Sequence, residues 1–146
     1  ADAINNLPPG AKVEFFQGLD NEALQAAYSI ARVFLFPSLA EGFGWPIVEA
    51  QACGCPVLTT GEPPMNEVGG PNAAYIPRLN SGLNADTWAK QGADAIERFL
   101  RLDEHELNAL RERCINWADR FRPGSAFKGY LQVYQEVMAA QNKADH

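Results

Sequence analysis

The chain has 146 residues, a formal net charge of −6 at pH 7 and 47% hydrophobic residues, which suits a single domain that can bury a real core. The acidic balance argues against a nucleic-acid surface. No apolar stretch reaches the roughly 18 residues that a membrane-spanning helix needs, and no signal peptide is recognised, so we expect a soluble, cytoplasmic domain.

The first predicted elements are a strand at residues 13–16 and the helix that follows it. Asp20 is a credible N-cap for this helix, because its short carboxylate can accept a hydrogen bond from a free N–H group of the first turn. The helical spacing places Leu24, Ala27 and Tyr28 on its inner face.

A second strand is predicted at residues 32–36, where a short, almost wholly apolar run is typical of a strand buried on both faces of a parallel sheet. Gly42 and Gly44 follow and allow a tight turn with close approach of the backbone to a ligand. Pro46 suits the first position of the next helix, and Gly54 is expected to end it.

The start of this helix is a candidate anion site. Its free N–H groups and the positive end of its dipole would attract a phosphate or pyrophosphate near residues 43–45. Glu41, before the helix, and Glu49, predicted in its first turn, can flank the anion and accept hydrogen bonds from neutral hydroxyls. Taken singly, each glutamate also has a structural explanation, Glu49 as an acid complementing the helix dipole and Glu41 as a solvated loop residue.

Further strands are predicted at residues 57–59 and 73–76, followed by a polar connection at 80–84 and three helices. Thr60 lies at the carboxyl edge of the sheet, where open α/β sheets bind ligands, so it is either a site-lining residue or part of a turn. The three helices carry apolar stripes that we expect to pack in the core. These stripes are Trp88, Gly92, Ile96 and Phe99; Leu107, Leu110, Cys114, Trp117 and Phe121; and Phe127, Leu131, Tyr134 and Met138.

The cysteines and histidines favour neither disulfides nor a metal centre. Cys53, Cys55 and Cys114 do not form a balanced disulfide set and do not match a zinc spacing. We expect them to be reduced and buried. With only His105 and His146 in the chain, a Ser-His-Asp triad or a histidine metal cluster is not expected, and His105 is predicted to be exposed near a helix start.

The region between Ser38 and Thr60 resembles the retaining GT-B glycosyltransferases of the large group 1 (GT4-like) family, whose Glu-x7-Glu signature matches Glu41 to Glu49. The resemblance extends to flanking residues on both sides. The matching segments are residues 13–18, Phe36-Pro37-Ser38, Glu41-Gly42-Phe43-Gly44, Pro46, Glu49-Ala50, Ala52-Cys53-Gly54, Pro56-Val57 and Asn66-Glu67-Val68-Gly69.

The resemblance implies a role for each matching residue. Glu41 would lie beside the donor hexose as the catalytic residue, and Glu49 would bind the ribose hydroxyls. The amides of residues 43–45 would contact the sugar or the pyrophosphate, and Trp45 stands where the family more often has Leu. Glu67 would lie near the nucleotide, unless it belongs only to a surface turn after residues 63–64. The predicted donor site thus comprises Gly42, Phe43, Gly44, Trp45, Pro46, Glu49, Thr60 and Glu67, with no metal and no cofactor.

The fold implied by the resemblance is an α/β, Rossmann-like parallel sheet flanked by helices. Residues 1–146 would form an incomplete C-terminal domain, without the N-terminal acceptor domain and without the first strands of their own domain. The Arg and Lys that neutralise the donor pyrophosphate in the family have no counterpart, because Lys12, Arg32 and Arg78 lie in other contexts. The usual strand order places the absent strands between residues 13–16 and 33–36, so we expect a rearranged order, a gap filled by another chain, or a fragment.

The expected function is retaining transfer of a hexosyl group from a nucleotide-diphosphate sugar to an unidentified glycan, lipid or small-molecule acceptor, in polysaccharide biosynthesis. The chain alone is expected to be inactive, and unpaired strand edges would favour its self-association. Two alternatives stay open: a non-catalytic sugar-nucleotide-binding or assembly module, and a GT-B-like sugar-nucleotide epimerase, although the acid/base histidines expected of such an epimerase have no counterpart.

Overall fold

The computed structural model describes residues 7–79 and 82–144. A parallel sheet of three strands, in the order β1-β2-β3, lies between helices. This confirms the predicted α/β, Rossmann-like fold. The elements in chain order are α1 (Asn21–Ile30), β1 (Phe34–Phe36), α2 (Trp45–Ala52), β2 (Val57–Thr60), α3 (Met65–Gly69), a 3-10 turn (Gly70–Asn72), β3 (Ala74–Ile76), α4 (Ala85–Arg101), α5 (Glu104–Ala118), a second 3-10 turn (Asp119–Phe121) and α6 (Pro123–Ala144).

The central strand β2 is buried along its whole length and divides the core into two layers. Val57 faces a cluster formed with α1, α2, α3 and the end of α5, while Leu58 faces the cluster formed with α4. Successive strand residues point to opposite faces, so this apolar strand joins both layers. Tyr28, Ile47 and Met65 are among the buried residues of the first layer, and Phe99 belongs to the second.

The helix boundaries follow from local chemistry. The Asp20 side chain accepts a hydrogen bond from the N–H of Ala23, as predicted for an N-cap. Asp103 and Glu106 form a reciprocal capping box at the start of α5. Just after α2, the N–H groups of Gly54 and Cys55 bond back to carbonyls of the last turn, which ends the helix at the predicted place.

The predicted strand at residues 13–16 is wrong, because these residues lie outside any strand and Phe15 and Phe16 are 77% and 68% exposed. The prediction that residues 32–36 are buried on both faces is also wrong in part. Only Phe34–Phe36 form β1, and Leu35 is 46% exposed. β1 lies at the edge of the sheet among the described residues, so a strand pairs with it on one side only.

The apolar stripes of the last three helices differ in their outcome. Phe99 on α4 and Leu107 and Cys114 on α5 are buried, as predicted. The third stripe does not pack in the core, because Phe127 and Met138 on α6 are about two thirds exposed. On α1, Tyr28 is buried but Ala27 is exposed, which corrects the predicted inner face.

The predictions for the histidine and the cysteines are confirmed except at Cys53. His105 is exposed in the first turn of α5, Cys55 and Cys114 are buried, and Cys53 is half-buried; all three thiols are free.

Residues 80 and 81 of the polar connection, and His146, lie outside the described residues. Over the part of the chain that is described, no helix combines the length and the apolar character needed to cross a bilayer.

Arg32 contacts the end of α4. Its guanidinium donates to the carbonyls of Leu100 and Leu102 at the end of α4 and lies 3.5 Å from a carboxylate oxygen of Glu104. Arg78 instead pairs with Glu62 at 3.6 Å. Both arginines therefore have acidic or carbonyl partners within the described residues.

Candidate functional site

The loop between β1 and α2 lies at the carboxyl edge of the sheet and is held by buried hydroxyls from β2. Thr59 donates a 2.7 Å hydrogen bond to the carbonyl of Phe36, and Thr60 donates a 2.8 Å bond to the carbonyl of Ser38. Both threonines are fully buried. Because a buried carbonyl without a donor is costly, these bonds fix the backbone where it leaves the strand.

The carboxylate of Glu41 is oriented by the same loop. The hydroxyl of Ser38 lies 2.8 Å from Oε1 of Glu41 and 3.1 Å from the carbonyl oxygen of Ala40. Glu41 itself is exposed. A solvent-facing carboxylate held by one hydroxyl keeps lone pairs that can accept hydrogen bonds from a ligand.

The backbone reverses direction at Gly44, which is the N-cap of α2 and has a φ of +94°. A side chain at this left-handed position would be strained. Among the residues that the structure describes, the amides of Phe43, Gly44 and Trp45 donate to no protein oxygen. Free amides at a helix start, together with the helix dipole, form an anion-attracting end.

Glu49 lies farther along α2 than predicted. The helix begins at Trp45, so Glu49 is its fifth residue, in the second turn. Pro46 is the second helical residue rather than the first. Because residues four apart lie on one face of a helix, Glu49 projects on the same side as Trp45, about 6 Å along the axis at 1.5 Å per residue.

Glu49 borders a groove of about 360 Å³ between α1 and α2. Burial raises the pKa of the Tyr28 phenol and of the Cys53 thiol, and the negative charge of Glu49 raises both further. The groove combines the exposed carboxylate of Glu49 with the side-chain amides of Asn21 and Gln25 and the ring of Tyr28. Its lining residues are Asn21, Leu24, Gln25, Tyr28, Glu49, Ala52 and Cys53.

The remaining predicted site residues, Gly42, Thr60 and Glu67, differ in their exposure and in their distance along the chain from the β1–α2 loop. Gly42 is exposed in the β1–α2 loop, beside Glu41. Thr60 is fully buried and donates a hydrogen bond to the carbonyl of Ser38. It therefore supports the loop and does not line a solvent-accessible site. Glu67 is exposed in the first turn of the short helix α3; it lies outside the groove at Glu49.

Aromatic rings connect the start of α2 to the 3-10 turn after α5. The ring centroids of Phe43 and Trp45 are 4.7 Å apart, and Phe43 meets Phe121 edge to face at 5.9 Å. Phe121 in turn packs near Trp117, whose indole N–H donates to the carbonyl of Val68. We call Phe43, Trp45, Phe121 and Trp117 the aromatic row.

Two parts of this site were missed by the sequence analysis. The hydrogen bonds that the hydroxyls of Ser38 and Thr59 donate could not be predicted. Nothing in the sequence around either residue indicated which carbonyl or carboxylate would accept them. The groove offered a weak signal, since Asn21 and Gln25 are spaced four residues apart on α1 and therefore share one helix face. Nothing local predicted that this face would lie opposite Glu49.

The fold and this site define an α/β domain with an anion-attracting helix start and two exposed carboxylates at the carboxyl edge of a parallel sheet, the edge at which such sheets bind ligands. The family model of the glycosyl transferases group 1 matches residues 2–120. The chain belongs to this family, which corresponds to the C-terminal domain of the GT-B fold.

Relatives of known class agree with this assignment. The O-antigen chain mannosyltransferase B of Escherichia coli is 40% identical over 123 residues, which cover 84% of this chain and 26% of the relative. The O-antigen chain mannosyltransferase RfbU of Salmonella typhimurium is 31% identical over 73% of this chain and 31% of its own length. The D-inositol 3-phosphate glycosyltransferase of Corynebacterium urealyticum is 32% identical over 86% of this chain and 28% of its own length. The chain thus spans about a quarter to a third of these relatives.

Proposed function

We propose that this domain binds the nucleotide-diphosphate end of a sugar donor and acts in a retaining hexosyl transfer. The observation that carries the proposal is the arrangement of Glu41, the free amides of residues 43–45 and Glu49 along one turn and helix. Glycosyl transfer is the activity named for the relatives, and the finer assignments of donor, stereochemistry and residue roles are ours.

The diphosphate would lie at the start of α2. Its charge would be stabilised by the amides of Phe43, Gly44 and Trp45 and by the helix dipole, and this stabilisation would grow as the diphosphate leaves with the bonding electron pair. Preorganised amides serve this purpose well because they need no reorientation during the reaction. The turn at Gly44 and the bonds from Thr59 and Thr60 supply that preorganisation.

The two carboxylates would bind hydroxyls on either side of the diphosphate. Glu41, held by Ser38, would accept hydrogen bonds from the donor hexose and stabilise positive charge that develops at its anomeric carbon. Glu49 would accept hydrogen bonds from the ribose hydroxyls. The groove beside it, with the side-chain amides of Asn21 and Gln25, would bind the nucleoside. Donation from hydroxyls to an ionised carboxylate is stronger than a neutral hydrogen bond.

A non-catalytic sugar-nucleotide-binding module would have the same groove and the same anion site. The two functions differ in what Glu41 does, because a binding module needs hydrogen bonds from the hexose but no support of a transition state. The acceptor, the base and the sugar would be selected partly by residues outside this chain, and assembly of a cell-surface polysaccharide is the process we propose from the O-antigen relatives.

The test is transfer by the protein that carries this chain, with Glu41→Gln compared with Glu112→Gln. Glu112 is exposed on α5, so its change controls for the loss of a surface charge. We expect Glu41→Gln to lower kcat by about two orders of magnitude or more, with retained anomeric configuration in the residual product and unchanged circular dichroism. Equal kcat in the two variants would contradict the catalytic role of Glu41.

A further inference from the structure

Two aromatic side chains, Phe43 and Trp45, lie together at the start of α2. Trp45 is 55% exposed and Phe43 is 38% exposed. Their rings are nevertheless ordered against each other, with centroids 4.7 Å apart and planes inclined by 40°. The pair lies at the helix start whose amides of residues 43–45 form the candidate anion site.

The indole of Trp45 also differs from the other two in the chain. Trp88 donates its N–H to the carbonyl of Pro77, and Trp117 donates to the carbonyl of Val68. Trp45 has no protein acceptor for its N–H within residues 7–79 and 82–144. It therefore presents both a ring face and an unused donor to the solvent at the start of α2.

Phe43 contacts Trp45 on one side and Phe121 on another, so it can hold the ring of Trp45 in place. Phe121 meets Phe43 edge to face at 5.9 Å, and Trp117 packs on Phe121 at 6.5 Å. Trp117 is anchored by its 2.7 Å bond to Val68 and is covered by the guanidinium of Arg120, 4.2 Å from its ring centroid. A ring held in this way loses little conformational entropy when a ligand stacks on it.

We propose that the outward face of Trp45, backed by Phe43, forms a stacking surface for a pyranose ring. A pyranose has polarised C–H groups on its face, which are attracted to the negative face of an aromatic ring, and hydroxyls at its rim, which can accept from the indole N–H. Neither a phosphate nor a purely apolar ligand would use both features. This inference rests on the proposed function, because it assigns the sugar end of the same site.

The pyranose can come from two sources, the donor hexose or a sugar of the acceptor glycan. The start of α2 would hold the diphosphate, so a donor hexose would be tethered within a few ångströms of Trp45. An acceptor sugar would reach the same surface from solvent without any nucleotide. The chemistry at Trp45 is the same in both cases, and the ligands of the experiment separate them.

The experiment follows the three indole N–H resonances of the ¹⁵N-labelled chain by NMR. Trp45→Phe assigns the Trp45 resonance, and Trp88 and Trp117, whose N–H groups are bonded to carbonyls, are internal controls. The probes are GDP, GDP-mannose, UDP, UDP-glucose, methyl α-mannopyranoside and an α-linked mannotriose. We expect the Trp45 resonance to move with a pyranose-containing probe while the other two stay in place.

A shift with a nucleotide sugar beyond that caused by its diphosphate assigns the donor hexose, whereas a shift with mannotriose or the methyl glycoside assigns an acceptor sugar. Trp45→Leu should weaken the binding of that probe about three- to tenfold, and Trp45→Phe should weaken it less because it keeps a ring. Equal weakening by both variants would show that the ring at position 45 does not stack on the pyranose.

The failure of this inference is distinguishable from failure of the proposed function. If GDP or UDP shifts the backbone amides of residues 43–45 but no pyranose moves the Trp45 resonance further, the stacking surface is refuted and the donor site stands. If no probe shifts any resonance of a well-dispersed spectrum, both proposals are contradicted for this chain.

Discussion

Ser38 and Glu41 are joined by a 2.8 Å hydrogen bond, with the serine hydroxyl donating to the carboxylate. The carbonyl of the same serine accepts a bond from Thr60, which lies 22 residues away in the buried strand β2. Ser38 therefore links the exposed carboxylate of Glu41 to Thr60 in the central strand β2, and this link orients the carboxylate. This relationship gives the first two predictions.

We predict that Ser38→Ala lowers kcat of the protein that carries this chain by about tenfold, because Glu41 loses a hydrogen bond that orients its charge. The free energy of unfolding should change by less than about 1 kcal/mol, since the bond is exposed. Steady-state kinetics and urea denaturation measure the two quantities. Ser125→Ala, which removes another exposed hydroxyl bonded to a carbonyl, should leave kcat unchanged; a similar loss in both variants would refute the role of Ser38.

Thr60→Val should reduce the free energy of unfolding by about 1–3 kcal/mol, because it leaves the carbonyl of Ser38 without its donor. Thr59→Val is the matched control, as both threonines are fully buried. The carbonyl of Phe36 keeps a 2.8 Å bond from the N–H of Ser38 when the hydroxyl of Thr59 is removed, so Thr59→Val should cost less. Urea titrations of both variants decide the order, and the reverse order would count against this account of the loop.

The part of the site that lies between β1 and β2 could be predicted from the sequence because its signals are local. Apolar runs predicted β1 and β2, and Gly54 predicted the end of α2. The helix start was misplaced by about one residue because Pro46 fits either of its first two positions, and this error moved Glu49 from the predicted first turn to the second.

Features that depend on distant partners could not be predicted. The hydroxyls of Thr59 and Thr60 reach carbonyls 23 and 22 residues away, and Phe43 packs on Phe121 from a different part of the chain. A strand also needs a neighbour for its hydrogen bonds, so residues 13–16, which are apolar except for Glu14, do not form one where no described strand pairs with them. Similarly, the periodicity of α6 predicted an apolar face but contained no information on what covers it.

Gly70→Ala should destabilise the domain by about 3 kcal/mol, the upper end of the usual cost of overpacking. Gly70 has a φ of +62°, and a Cβ atom there would lie 2.1 Å from the ring of Trp117. The clash would displace Trp117 from Val68 and disturb the support of the aromatic row. Gly92→Ala is the control, because a Cβ in α4 would meet nothing within 4 Å and should stabilise the helix by up to about 1 kcal/mol. Thermal unfolding compares them, and a Gly70→Ala domain as stable as the wild type would disprove the packing described.

Stability should fall as the pH rises above about 9. Burial raises the pKa of Cys114 to about 12 and that of Cys55 to about 11, from an ordinary value of 9.0. Above pH 9 these thiols ionise in the unfolded chain while they stay protonated in the folded domain, so each favours unfolding by up to about 1.4 kcal/mol per pH unit. This slope levels off for Cys55 as the pH nears 11 and continues for Cys114 to higher pH.

The measurement is urea unfolding at pH 8, 9, 10 and 11. Cys114→Ala leaves a small cavity and lowers stability throughout, but its decline above pH 9 should be shallower than that of the wild type. Parallel declines in the two proteins would show that Cys114 does not contribute to the alkaline loss.

The central claim is that the start of α2 and the groove at Glu49 hold the nucleotide-diphosphate end of a sugar donor. Calorimetric titration with UDP, GDP and ADP, using the wild type, Glu49→Ala and Glu112→Ala, tests it most directly. The account predicts binding of one diphosphate in preference to the others, lost or at least about tenfold weaker in Glu49→Ala and unchanged in Glu112→Ala. Binding that is equal in all three proteins, or absent for every nucleotide in a folded wild-type domain, would contradict it.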